Sequence, residues 1–107
     1  MLAATLELHP EALEDAIAGY TWYLERSPVT ADRFFQQVER TLELVLEGPS
    51  RWPPYLHGTR RILLKRFPYS VVYGVLDDRV MVYAFAHARR RPGYWKRRLD
   101  GDRPPIM

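Results

Sequence analysis

The segment from Ala86 to Leu99, AHARRRPGYWKRRL, carries six Lys or Arg in fourteen residues and no acid. Guanidinium forks bind phosphates and carboxylates through paired N–H donors. The aromatics inside the run, Tyr94 and Trp95, can stack on a nucleobase or on the domain itself. Three uses fit such a stretch: phosphate recognition, pairing with an acidic protein segment, or a solvated tail whose aromatics fold back onto a sheet. His87 stands two residues before Arg89. Its side chain type titrates near neutrality and suits acid or base work at a phosphodiester, or it is a strand-end histidine bonded to backbone. A second cationic group, Arg60, Arg61, Lys65 and Arg66, flanks the apolar Ile62, Leu63 and Leu64. On extended chain Arg61 and Lys65 face one way and Arg60 and Arg66 the other. A continuous electropositive face requires both groups to converge. Three scattered histidines without paired carboxylates or cysteines make no metal site, and no glycine-rich phosphate loop occurs, so no metal or cofactor is expected.

The 107 residues fit one domain, and 47% apolar content with 13% aromatic is enough for a core. There is no cysteine, hence no disulfide or thiolate chemistry, which suits a reducing cytoplasm. Met1–Leu8 is too short for a signal peptide, and no segment nears the roughly 20 apolar residues that span a bilayer, so no membrane partner is expected. The net charge of +3 hides a division. Residues 1–50 hold three arginines against nine carboxylates, whereas residues 51–107 hold thirteen Lys or Arg against four aspartates. One surface is therefore expected to meet an anionic partner.

The elements that must position these groups follow from periodicity. Thr5–His9 reads as a short strand, and Pro10 as the first turn of a helix with the stripe Leu13, Ala16/Ile17, Tyr20, Tyr23/Leu24. Ser27-Pro28 breaks that helix and starts a second, striped by Ala31, Phe34/Phe35, Val38, Leu42 and Val45/Leu46 and stopped at Gly48-Pro49. So short a break predicts an antiparallel hairpin. Residues 50–58 read as a loop pinned by Trp52 and Tyr55. Strands are predicted over Arg60–Arg66, Tyr69–Leu76 and Val80–Ala86, with a tight turn at Asp77-Asp78. Both faces of the middle strand are partly apolar, so the helices cover one face and the other needs a lid from the tail, the loop or a partner. Pro92 places Arg89–Arg91 on irregular chain at the sheet rim. The fold class is α+β, a leading strand and a helical hairpin followed by a three-stranded antiparallel sheet. Residues 1–99 form the domain and 100–107 a flexible C-terminal tail.

Read in order, the stretches WYLERSPVTADRFFQQVE, GPSRWPPY, RFPYSVVYGV and AFAHARRRPGYW resemble toxins of bacterial type II toxin–antitoxin systems in the RelE/ParE superfamily. The resemblance runs from about Leu8 to Arg98 and implies the same β-α-α-β-β-β order. It implies a cytoplasmic, growth-inhibiting toxin with a basic surface, neutralised by a cognate antitoxin whose acidic groups pair with Arg89–Arg91 and whose apolar anchors cover the bare sheet face. RelE-like members cleave messenger RNA on the ribosome. Under that reading the catalytic set is His87, Arg89, Lys65 and Arg61, with Trp95 where a terminal tyrosine is expected. Ser70 stands where a middle-strand arginine is expected, and loss of one such charge-stabilising donor costs about 3 kcal/mol. ParE-like members instead poison DNA gyrase by binding it, and the RFPY…H.RR.P.YW wording is closer to that side. Arg60, Arg66, Arg90, Arg91, Tyr94, Trp95, Lys96, Arg97 and Arg98 are then the candidate contacts to target or antitoxin. A non-toxic binding or adaptor domain is the third reading.

Overall fold

Prolines one residue inside two helix starts set the path of the first half. In the computed structural model, which describes residues 5–101, β1 (Thr5–Leu8) passes through His9 into α1 (Pro10–Leu24). The His9 ring caps that helix, its Nδ1 accepting from the Glu11 N–H at 3.1 Å. Ser27 caps α2 (Pro28–Glu47) by accepting from the Thr30 N–H at 3.2 Å. The loop after α2 is tied back by the Trp52 indole, which donates to the Leu44 carbonyl at 3.3 Å. Then come β2 (Arg60–Leu63), β3 (Tyr69–Leu76), β4 (Arg79–His87) and the short α3 (Lys96–Gly101).

The leading strand joins the sheet that was expected to have three strands. The order is β1-β4-β3-β2, with β1 parallel to β4 and the other pairs antiparallel. β2 is shorter than the run Arg60–Arg66, because the chain turns at Lys65–Pro68: the Leu64 N–H reaches the Tyr69 carbonyl at 3.0 Å, and Arg66 takes a left-handed φ of 66°. The Asp77-Asp78 turn falls where expected, with Asp77 at φ 55°. Aspartate tolerates this region better than most residues. The tail expected over 100–107 falls mostly outside the described residues; Asp100 and Gly101 close α3.

The α1 stripe needs correction. The helix buries Ala12 and Gly19, half-buries Ala16, Tyr20 and Tyr23, and leaves Leu13, Ile17 and Leu24 at 47%, 55% and 44% exposure. The reason is close approach. A Cβ on Gly19 would stand 2.9 Å from the Tyr69 hydroxyl and 3.0 Å from the Phe34 ring, so small residues touch the core and the large apolar ones are left on the flank. On α2, Ala31, Phe34, Val38 and Val45 are buried, with Thr41 beside them, while Phe35 is 53% exposed.

A bulge divides β4 between two cores. Val72 pairs with Ala84 and Tyr73 with Val82, leaving Tyr83 as the extra residue. Before it, Val80 and Val82 face the helices; after it, Ala84 turns to the opposite face and Phe85 returns to the helical side. The main core joins Phe34, Val38, Val45, Ile62, Val71, Tyr73, Val80, Val82 and Phe85. The smaller one, on the other face, joins Val72, Ala84 and Trp95, flanked by Tyr55, Tyr94 and Leu99.

Candidate functional site

The second sheet face is covered by the chain itself. Gly93, at φ 81°, turns the chain after Pro92, and Trp95 lands on Val72 and Ala84 with 1% exposure. Tyr55 packs beside it at 6.1 Å between ring centroids. The lid thus comes from both tail and loop, and the expectation that partner anchors would cover this face is withdrawn. Trp95 cannot stack a base in this arrangement, because its ring is core.

The lid is locked by a charge pair at the exposed margin of β4. β1 stops pairing at Val82, so among the described residues the β4 backbone beyond it has no strand on that side. Asp15 of α1 and Arg98 of α3 fill the gap. The Asp15 carboxylate accepts from the Phe85 N–H at 3.2 Å, from the Tyr94 hydroxyl at 3.1 Å, and from both Arg98 terminal nitrogens at 2.6 and 3.3 Å. Arg98 also donates to the Tyr83 carbonyl at 2.9 Å. The two side chains are only 12% and 10% exposed. Burial works against the Arg98 charge, but the hydrogen bond and the charge of Asp15 outweigh it and hold the guanidinium above its ordinary pKa. Tyr94 is pushed up to about 12, first by burial and then by Asp15. Arg98 is therefore an internal clamp.

Between lid and sheet rim lies a cleft of about 170 Å³ lined by Arg61, Leu63, Ser70, His87, Arg90, Arg91 and Tyr94, among others, with no carboxylate among the described residues of its walls. Two of its arginines are laid on aromatic faces: Arg61 over Tyr55 at 4.1 Å and Arg90 over Tyr94 at 3.8 Å. Such stacking restrains the guanidiniums and leaves their edges free to fork onto an anion. Ser70, 8% exposed, lies on the floor. The His87 Nδ1 accepts from the Arg89 N–H at 3.0 Å, and its ring stands edge-on to Tyr69 at 5.0 Å. Nδ1 is thereby occupied, so the neutral ring carries its proton on Nε2, as a donor.

The remaining cations go elsewhere. Arg89 lines a second cleft, of about 770 Å³, with Trp22, Tyr23, Tyr69 and His87, so His87 stands between the two clefts. Arg60 lies on the helical face and donates to the Trp52 carbonyl. Lys65 and Arg66 are exposed in the β2–β3 turn, and Lys96 and Arg97 are exposed on α3. The two cationic groups therefore meet only through Arg61, Arg90 and Arg91, and they do not form one sheet-wide patch. Sequence reasoning missed Asp15 and took Tyr55 only as an anchor of its loop. The first carries a weak signal, an acid on the core side of an otherwise apolar helix stripe; the second is one aromatic in an irregular loop.

This layout can bind an anion in the lid cleft and present aromatic and cationic groups in its neighbour. A family model described as the ParE toxin of the type II toxin–antitoxin system, parDE, matches residues 6–92. Toxin ParE2 of Mycobacterium tuberculosis (strain CDC 1551 / Oshkosh) is 23% identical over 97 residues, covering 90% of this chain and 92% of that protein. Toxin ParE2 of strain ATCC 25618 / H37Rv matches to the same extent. The solved chromosomal ParDE TA system from P. aeruginosa superposes with a TM-score of 0.71 at 18% identity, covering 79% of this chain and 96% of that chain, a likeness of fold. Matched over most of its length by the family model, the chain belongs to the ParE toxin family of type II toxin–antitoxin systems.

Proposed function

We propose that this toxin acts in the cytoplasm by binding DNA gyrase, and that a cognate antitoxin holds it inactive by placing carboxylates on Arg61, Arg90 and Arg91. The observation that carries the non-nuclease reading is the floor of the lid cleft. Ser70 is short and uncharged, and no arginine from the middle strand reaches the position where a scissile phosphate would need charge stabilisation. Trp95 is buried against the sheet as part of the lid, and Arg98 is committed to Asp15. What remains is a surface for binding. Among the described residues, no helix is long and apolar enough to cross a membrane.

One observation favours a second reading, cleavage of ribosome-bound messenger RNA: Arg61, His87, Arg90 and Arg91 do share one cleft. Induction of the toxin with and without the adjacent encoded small protein separates the readings. Gyrase inhibition predicts arrested DNA synthesis with intact messages, relieved by the small protein. Codon-linked cuts in primer extension, lost in Arg90→Ala, would overturn it in favour of the nuclease. Normal growth on induction would leave only a binding or adaptor domain. A pull-down in which the small protein fails to bind at micromolar concentration would remove the antitoxin part.

A further inference from the structure

The cleft of about 770 Å³ beside the lid cleft gathers groups that the latter does not use. It opens where Tyr69 and His87, paired at the ends of β3 and β4, meet the second half of α1. The Tyr69 hydroxyl lies against bare Gly19, itself a wall residue, and Tyr23 lines the cleft from the same helix. Neither hydroxyl has a hydrogen-bond partner among the described residues, and no side-chain oxygen there is both buried and unpaired, so both meet solvent. Burial raises both phenols above their ordinary pKa, with Tyr23 and Asp15 adding to the rise at Tyr69, and at neutral pH both stay O–H donors. His87 adds its Nε2–H, fixed by the bond that Nδ1 accepts from the Arg89 N–H. Arg89 is exposed and pairs with no carboxylate among the described residues. Tyr23, Tyr69, His87 and Arg89 thus all present donors, and the described walls hold no carboxylate.

An anion with an aromatic body matches these walls. Trp22 forms the outer wall at 51% exposure, and the Arg26 guanidinium lies over its ring at 3.7 Å. Arg26 is held there by donating to the Trp22 carbonyl at 2.7 Å. Aromatic side chains stack on a nucleobase whatever its identity, and a nearby guanidinium adds to the attraction. A tetrahedral phosphate turns its oxygens in more directions than a flat carboxylate, so it can accept from several walls at once. Clefts of this size bury most of a small organic ligand. We propose that this cleft is a nucleotide site, with the phosphate received by Arg89, His87 and the Tyr69 hydroxyl and the base laid on Trp22. A free mononucleotide and the phosphorylated end of a strand share that chemistry. The site lies on the other side of His87 from the lid cleft, and it depends on neither the gyrase nor the antitoxin reading.

The test titrates the purified full chain with adenosine monophosphate in a calorimeter at low salt. Saturable binding is expected with a Kd below about 1 mM. Adenosine and inorganic phosphate should each bind at least about tenfold more weakly, since each keeps only half of the contacts. Arg89→Gln should weaken the monophosphate about tenfold and leave adenosine unchanged, whereas Trp22→Ala should weaken both. Both positions are exposed, and an unchanged thermal midpoint certifies the fold. Tyr69→Phe keeps the ring and should weaken the monophosphate alone. An end-phosphorylated tetranucleotide that binds as tightly as the monophosphate extends the site to strand ends, and one that binds more weakly restricts it to free nucleotides. Absence of binding, or equal affinity for adenosine and its monophosphate, overturns the inference. So does benzoate or an unphosphorylated tetranucleotide that binds as tightly as the monophosphate. A loss in Arg90→Gln as large as that in Arg89→Gln also overturns it, by placing the ligand in the lid cleft.

Discussion

Two ion pairs with the same closest approach allow burial to be separated from distance. Arg98 meets Asp15 and Arg79 meets Glu7, each at 2.6 Å, but the first pair is 10% and 12% exposed and the second 35% and 50%. In Asp15→Asn the side chain keeps its shape and loses its charge. Arg98 is left as a buried cation without a counter-charge, and the Phe85 N–H and Tyr94 hydroxyl compete for one amide oxygen. Removing one member of a buried pair costs about 3 kcal/mol or more, whereas an exposed pair contributes about 1 kcal/mol at most. In a domain of this size about 3 kcal/mol lowers the melting midpoint by roughly 15 °C. Arg79→Gln should lower it by no more than about 5 °C.

Thermal and urea unfolding of the two variants beside the native chain provide the comparison, with hydrogen exchange at the Phe85 amide as a local readout. That amide should exchange faster in Asp15→Asn and unchanged in Arg79→Gln. The double variant Asp15→Leu/Arg98→Leu should recover part of the loss, because no charge is then stranded, although the Tyr83 carbonyl loses its Arg98 donor. Equal destabilisation by Asp15→Asn and Arg79→Gln would refute the argument that this pair closes the bare β4 margin.

Gly19→Ala tests the close approach of α1. Alanine gains about 1 kcal/mol in helix propensity, but its Cβ would stand 2.9 Å from the Tyr69 hydroxyl, so a net loss of about 1–2 kcal/mol in urea unfolding is expected. Trp95→Ala opens the smaller core and should cost about 3–5 kcal/mol, read as a lower urea midpoint. The alkaline limb of stability follows from Tyr73 and Tyr94, both raised to about 12, chiefly by burial. Unfolded tyrosines lose their protons near pH 10, so between pH 10 and 12 the native state holds more protons than the unfolded one. Stability that is full below pH 10 therefore falls as pH rises. Tyr73→Phe should flatten that slope while lowering stability at pH 7, since it removes the bond to the Pro49 carbonyl.

The order of elements was legible because each boundary had its own chemistry: Pro10 and Pro28 opening helices, Ser27-Pro28 breaking the first from the second, and Asp77-Asp78 turning β3 into β4. Which face of α1 lay inward was not. Periodicity weighs side chains by size, and here the contact face is built from Ala12, Ala16 and Gly19 because α1 lies close against Phe34 and Tyr69. The bulge at Tyr83 was equally hidden. A one-residue insertion in a strand apolar on both faces leaves no mark on alternation, yet it decides that Ala84 faces the lid and Phe85 the helices. For the site, the residue types were visible and their grouping was not. Arg90 and Arg98 are eight residues apart in one basic run, but one lies on Tyr94 at the cleft and the other is bonded to Asp15. Composition cannot separate them, since the distinction depends on a helix more than seventy residues earlier in the chain.

The charge division between the halves of the chain largely outlives folding. Among the described residues, the ion pairs that join an acid of the first half to a cation of the second are Glu7–Arg79 and Asp15–Arg98, both on the β4 side that β1 and α1 approach. Most of the remaining acids stay on the hairpin, while Arg61, Arg90 and Arg91 stay on the opposite sheet face. A domain built this way presents fields of opposite sign on opposite sides, and each side steers a different class of partner. Salt therefore gives an independent handle on the two surfaces. Raising ionic strength should slow association at the cleft and at the hairpin alike, whereas Arg90→Gln should slow only the first and Asp32→Asn only the second. Association rates measured by stopped flow for an acidic peptide and for a Lys-rich peptide would show that separation. A single substitution that slowed both equally would mean that the two fields overlap in solution.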